Sequence, residues 1–169
     1  TPWGSYQQLI EPMVGVTVAP TIDPETDIPN NDSADPEFDD INLFSDNRFP
    51  GLDRVEGGQR ITYGLRYGIF GSDGTSSTVF LGQSHRFQVD PSFDASSGLR
   101  DEWSDIVGRV TLNPAPWVSV DWRFRLDNEN LDSRRQSVVA TVGPTDFKVN
   151  ASYTYLSVEG NDDLLNDQE

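Results

Sequence analysis

Cysteine is absent from this 169-residue chain, which excludes a disulfide, a thiolate metal site or a cysteine nucleophile within it. Histidine occurs once, as His85, so multi-histidine metal centres and a Ser-His-Asp triad have too few members, and His85 reads as an ordinary strand residue. Lysine also occurs once, as Lys148, and the balance of 12 basic against 28 acidic residues gives a net charge of -16. Binding to a phosphate backbone needs a basic surface, so nucleic acid is excluded as a partner. No apolar run approaches the ~18 residues of a spanning helix, and mean hydropathy is -0.53. That objection does not reach a membrane barrel, whose strands show only alternate residues to lipid.

The chain does have a rhythm. Strand-like runs cover Tyr6 to Val18, Gln59 to Ile69, Thr78 to Val89, Glu102 to Leu112, Trp117 to Leu126, Arg134 to Val142 and Phe147 to Val158. Three of the connections are tight and polar: Gly71 to Gly74, Asn113 to Pro116 and Gly143 to Asp146. The others, Pro20 to Gly58, Asp90 to Asp101 and Asp127 to Ser133, are longer. Runs of about ten residues exceed the usual soluble strand of about five or six. Short turns at one end and long loops at the other describe a meander that threads a bilayer, with the turns periplasmic and the loops outside.

Charge placement sharpens the pattern. In Ile61 to Ile69 every odd position is large and apolar, while the even ones are small or polar and include Arg66. Ser119, Asp121, Arg123 and Arg125 oppose Val118, Val120, Trp122, Phe124 and Leu126; Arg109 shares its face with Asp105, Val107 and Thr111. Lys148, Asn150, Ser152 and Thr154 oppose Phe147, Val149, Ala151, Tyr153 and Tyr155. An arginine facing mid-membrane lipid costs about 2 to 4 kcal/mol, so a barrel needs this segregation. A soluble half-buried sheet shows the same segregation, and a cell-envelope β-sandwich with acidic binding loops stays open as an alternative, as does another outer-membrane channel. Strand length, loop asymmetry and aromatics near strand ends (Tyr6, Phe70, Phe87, Trp103, Trp117, Phe147, Tyr155) favour the bilayer. The expected fold is therefore an all-β, antiparallel up-and-down meander. Residues 1–169 form about seven strands of a larger transmembrane outer-membrane β-barrel, an internal piece of a longer protein. Arg66, Arg109, Asp121, Arg123, Arg125 and Lys148 are its lumen-facing polar residues.

Three stretches strain the pattern. Val79 to Phe87 mixes its faces, Arg134 to Val142 alternates clearly only in its second half, and Pro12 sits inside the first strand, where it predicts a bulge, an edge or an opening in the pairing. The segment 20–58 is too long for a simple connection, and the apolar, aromatic content from Ile41 to Arg54 predicts that its second half folds back onto the barrel mouth. Asp23-x-Glu25-x-Asp27 suggests calcium, but Ile28 and Ala34 stand where an EF-hand requires glycine and glutamate. Gly71 to Gly74 and Gly57-Gly58 lack the Lys-Ser/Thr of a phosphate loop and read as turns. Neither a metal nor a cofactor is expected, and no catalytic constellation emerges, so the chain does not read as an enzyme.

The junction of loop and strand is more specific. Leu43-Phe44-Ser45-Asp46-Asn47-Arg48-Phe49-Pro50-Gly51-Leu52-Asp53-Arg54, followed by Gln59-Arg60-Ile61-Thr62-Tyr63-Gly64, resembles a stretch of the LPS-assembly outer-membrane protein (LptD) family. There an Asn-Arg-Phe-x-Gly-x-Asp-Arg element precedes a barrel strand. Leu9-Ile10-Glu11-Pro12 is similar to that family's Leu-x-Glu-Pro strand. The matching motif residues are Asn47, Arg48, Phe49, Gly51, Asp53 and Arg54. The resemblance implies part of the translocon that inserts lipopolysaccharide into the outer leaflet of a Gram-negative cell outer membrane. It also implies lipopolysaccharide, the plug lipoprotein LptE and the periplasmic bridge proteins as partners. That family's periplasmic β-jellyroll and disulfide cysteines have no counterpart here, and the acidic loops match none of its motifs.

Overall fold

Alternation with period two makes each run a strand, and adjacent runs pair in the order in which they are made. In the computed structural model, which describes residues 5–20, 37–50, 55–89, 93, 95–144 and 146–157, seven strands form one antiparallel sheet in the order β1-β2-β3-β4-β5-β6-β7. They are β1 Tyr6–Ala19, β2 Gly58–Gly71, β3 Ser76–Arg86, β4 Ile106–Ala115, β5 Val118–Leu126, β6 Ser133–Val142 and β7 Val149–Leu156. A 3-10 turn, Ala95–Ser97, lies between β3 and β4. The sheet is an open meander, with β1 and β7 as its edges.

Pairing runs without a break through all 14 residues of β1, Pro12 opposite Leu65. Of the bulge, edge or opening expected at Pro12, the edge is what is found. β1 has a neighbour on one side only, so a residue without an N–H interrupts no second ladder. Between Leu112 and Ala115 the register of β4 with β5 slips. Pro114, which has no N–H to donate, lies within the slip, and the strand continues to Ala115. The connection expected over Asn113 to Pro116 thus contracts to Pro116 and Trp117. At its other end β4 starts at Ile106 and not Glu102, because Glu102 to Asp105 answer to separate partners. Arg86 N donates to Glu102 O (2.7 Å), Ser104 N to Ser84 O (2.9 Å) and Asp105 N to Gly98 O (2.9 Å).

The tight turn after β2 closes when Gly71 N donates to Thr75 O (2.8 Å), with Gly74 at φ 85°, a conformation that costs glycine nothing. Residues 127–132, between β5 and β6, are no longer than residues 143–148 at the opposite end. The asymmetry of the two ends therefore rests on the segments 20–57 and 87–105.

Register sorts the side chains into two faces. One carries the cross-strand row Ile10, Tyr67, Val79, Val110, Trp122, Val138 and Tyr153. It stands uncovered: Ile10, Val14, Leu65, Leu81, Trp122 and Tyr153 are all exposed. The other carries the row Glu11, Arg66, Phe80, Arg109, Arg123, Ser137 and Thr154. The core sits over this polar face, where Phe38, Leu43, Phe49, Phe93 and Leu99 from the long connections join Phe80 and Val107 of the strands. Here lies the reason that Val79 to Phe87 mixes its faces. Phe80 is an apolar residue on the polar side because loop side chains cover it. His85 lies on the outward side, its ring 4.3 Å from that of Trp103 and 5.2 Å from Phe87.

Candidate functional site

Glycine at position 82 lets the loop come down on the sheet. A Cβ built there would collide with Leu43, and it would stand 3.0 Å from Phe80. Around that contact the segment 37–50 lies across the polar face and reaches its middle row. Asp39 shapes the segment locally: its Oδ1 accepts from Ile41 N (2.9 Å) and Asn42 N (3.1 Å), and Asn42 Oδ1 accepts in return from Asp39 N (3.0 Å). Asp40 is thereby held by backbone geometry with its side chain toward the strands.

Two ionic groups fasten the loop, and they differ in burial. The deeper one centres on Glu56, whose side chain is fully enclosed. Arg48 donates to both its oxygens, from Nε (2.9 Å) and Nη2 (2.5 Å), and from Nη1 to Ser84 Oγ (3.1 Å). Arg60 approaches Glu56 at 3.0 Å and Arg86 also pairs with it. Arg60 further donates to the carbonyls of Ser45 and Asp46. Rings close over the cations: Arg48 lies 5.5 Å from the Phe38 centroid and Arg86 4.8 Å from Phe93, which stacks on Phe49 at 4.5 Å. Asn47 Oδ1 accepts from Phe49 N (3.2 Å) and Glu56 N (3.0 Å).

The second group is shallower and lies at mid-height. Arg109 and Arg123 face each other across β4 and β5, and Asp121 bridges them, accepting from Arg109 Nε (2.7 Å), Thr111 Oγ1 (2.9 Å) and Arg123 Nε (3.2 Å). Asp40 comes from the loop above, 3.8 Å from Arg109 and 4.0 Å from Arg123. These distances exceed a hydrogen bond, and Asp40 Oδ1 is buried with no hydrogen-bond partner. Burial pushes the Asp40 carboxyl above its ordinary value, against the attraction of Arg123. Glu37 pairs with Arg135 beside it.

Toward the loop end of the sheet, Arg125 donates to the carbonyls of Ser97 (2.9 Å) and Ser96 (3.1 Å) and stands 3.4 Å from Asp105. Burial pushes Asp105 up to about 6, although Arg125 pulls the other way. Asp127 closes its own turn by accepting from Glu129 N (2.9 Å) and Asn130 N (3.1 Å), and the hydrogen bond from Arg134 (2.6 Å) holds its carboxyl below the usual range. On β1 and β2, Arg66 pairs with Glu11 at 2.9 Å, with both side chains nearly half exposed. Such a pair contributes about 0 to 1 kcal/mol.

Of the residues expected on the polar face, Arg109, Asp121 and Arg123 form one cluster. Arg66 and Arg125 lie on the same face with partners of their own. Lys148 lies just outside β7 and is exposed at the tight-turn end, apart from the rest. Of the motif residues, Asn47, Arg48 and Phe49 pack at the base of the loop; Gly51, Asp53 and Arg54 lie outside the described residues, as does the Asp23 to Asp27 run. Sequence reasoning missed Asp40, Glu56, Arg60, Arg86 and Arg135. Their partners are distant in the chain, and only the overlap of Arg48 and Arg60 with one motif could have pointed to Glu56. Among the described residues, no three His, Cys, Asp or Glu side chains gather to hold a metal. No helix among the described residues is long and apolar enough to cross a membrane, which says nothing about a β-barrel.

A family model described as LPS transport system D matches residues 1–169. Among curated relatives, the LPS-assembly protein LptD of Pseudomonas putida (strain W619) is 32% identical over 77% of this chain and 14% of its own length. That of Nitrosomonas eutropha is 28% identical over 90% of the chain and 21% of its own length. The protein of the same name from Pseudomonas fluorescens is 28% identical over 97% and 18%. The chain thus spans about a fifth or less of the relatives it matches.

Proposed function

We propose, from the premise that this chain belongs to the LPS transport system D (LptD) family, that it is a seven-strand wall of the outer-membrane barrel through which lipopolysaccharide reaches the outer leaflet. The observation that carries the reading is the inversion of the two faces. Seven strands about 4.8 Å apart and about ten residues long make a face on the order of 1,100 Å². The largest apolar patch on a soluble monomer is typically about 300 to 600 Å². Here the apolar face is the bare one, and the polar face receives the loop, the core and the buried ions. A β-sandwich encloses its apolar face, whereas a barrel turns it to lipid and encloses the polar one. Strand length agrees, since ten residues at about 3.4 Å, tilted by about 40°, rise roughly 26 Å, close to the apolar band of such barrels. Tyr6, Trp117 and Phe147 stand exposed at the tight-turn end, where aromatic rings suit a membrane interface.

In this reading Arg66, Arg109, Asp121, Arg123, Arg125 and Lys148 line the lumen, and the segment 20–58 is an extracellular loop whose residues 37–50 lie over the lumen face. The role is transport and assembly with no chemical step, and the partners are lipopolysaccharide, a plug lipoprotein of the LptE kind and the periplasmic bridge. Cysteines at Ser72, in the turn after β2, and Ser96, in the connection before β4, test the topology in intact cells. Both sites are exposed. Ser96→Cys should label with a membrane-impermeant maleimide and Ser72→Cys should not, whereas equal labelling of the two contradicts the reading.

A further inference from the structure

Arg109 and Arg123 use only part of their hydrogen-bonding capacity. Asp121 takes the Nε of each. The outer forks of the two guanidinium groups make no hydrogen bond among the described residues, and both side chains are about one-third exposed. Beside them stands Asp40, a carboxylate placed by the turn at Asp39: its Oδ2 lies 3.8 Å from Arg109 Nη1 and its Oδ1 4.0 Å from Arg123 Nε, about 1 Å beyond the 2.7 to 2.9 Å of a charge-assisted hydrogen bond. Its Oδ1 is buried and unbonded. The clefts on either side are lined by Phe38, Asp39, Arg125 and Arg135, and by Met13, Arg66 and Phe80, with Asp40 in both. With Asp40 withdrawn, the gap would keep two guanidinium groups against the single carboxylate of Asp121, edged with apolar surface, and Asp40 does not fill it to hydrogen-bond distance. A tetrahedral phosphate carries three acceptor oxygens on a larger frame and matches two guanidinium forks better than a carboxylate does.

We propose that Arg109 and Arg123 form a clamp for a phosphate monoester, and that Asp40 is the displaceable carboxylate that occupies it while the loop is docked. Asp121 and Thr111 position the clamp from below, and the Glu56 cluster keeps the base of the loop in place when Asp40 leaves. Placing the clamp in a lumen rests on the function proposed above; its chemistry does not, so the two are tested apart. Lipopolysaccharide delivery in cells tests the function, and phosphate titration of the purified protein tests the clamp.

The whole protein carrying this chain, in detergent, is titrated with dioctanoyl phosphatidic acid, with dioctanoylglycerol as the control lacking phosphate, and separately with inorganic phosphate. Phosphatidic acid is expected to bind and dioctanoylglycerol not. Binding of the lipid alone identifies a lipid-borne phosphate, and equal binding of inorganic phosphate identifies the free anion. Asp40→Asn should tighten binding about threefold or more, because apparent affinity is reduced by the fraction of clamps that is vacant. Arg123→Gln should weaken it about tenfold, the loss of a charge-assisted hydrogen bond. Arg100→Gln, at an exposed position away from the clamp, should leave it unchanged. Absence of binding to Asp40→Asn, or the same affinity in Asp40→Asn, Arg123→Gln and the unaltered protein, overturns the proposal. Asp40→Asn keeps the size of the side chain and leaves both arginines in place, so the test survives a folding defect in Arg123→Gln.

Discussion

Glu56 meets three guanidinium groups within a space closed to water. Charges taken out of water are tolerated when each is met by partners, and removing one partner of such a group costs about 3 to 5 kcal/mol. Glu56→Gln keeps the shape and removes the charge that gathers Arg48, Arg60 and Arg86. The sheet is expected to persist while the loop loosens, so the melting transition of the whole protein in detergent should move less than protection of residues 37–50 from protease. Equal protection of that segment in Glu56→Gln and the unaltered protein would show that the cluster does not hold the loop. None of this was visible in the sequence beyond Arg48. Period two says which face a residue occupies, and the Arg66, Arg109, Asp121, Arg123 and Arg125 face follows from it; which acid meets which base depends on how a loop of 38 residues (20–57) returns, and no local rule reports that.

Strands were legible because a half-buried sheet forces alternation, and all seven expected runs correspond to β1 to β7. Their ends were less legible. β4 runs past Asn113-Pro114 through a slip in register, and Glu102 to Asp105 leave the ladder for partners of their own. Composition did mark the loop: Leu43, Phe44 and Phe49 are too apolar to stand in water, and Leu43 and Phe49 are buried. Gly82 is the receiving half of that contact, and a lone glycine in a strand gives no sign of what approaches it. Gly82→Val would place a Cβ where Leu43 lies and 3.1 Å from the Tyr63 carbonyl oxygen. The prediction is that the loop lifts: proteolysis between residues 37 and 50 should accelerate at least several-fold, with the β content by circular dichroism unchanged. An unchanged rate of cleavage would mean that Leu43 does not depend on this close approach.

At the scale of the whole molecule, the sheet presents a bare apolar face and a covered polar one, and both edges are open. Edges of this length in water are templates for aggregation, and the proposed closed barrel would remove them. The central claim is that Leu65 and its row meet lipid while Arg66 and its row do not. Nitroxide labels placed singly at Leu65, Val138 and Ser137, in the whole protein reconstituted into a bilayer, test it most directly. The account predicts that the labels at positions 65 and 138 relax preferentially with oxygen and the label at 137 with a water-soluble nickel complex. Preference for the nickel complex at 65 and 138, or shielding of both from either reagent as beneath a second sheet, would contradict it.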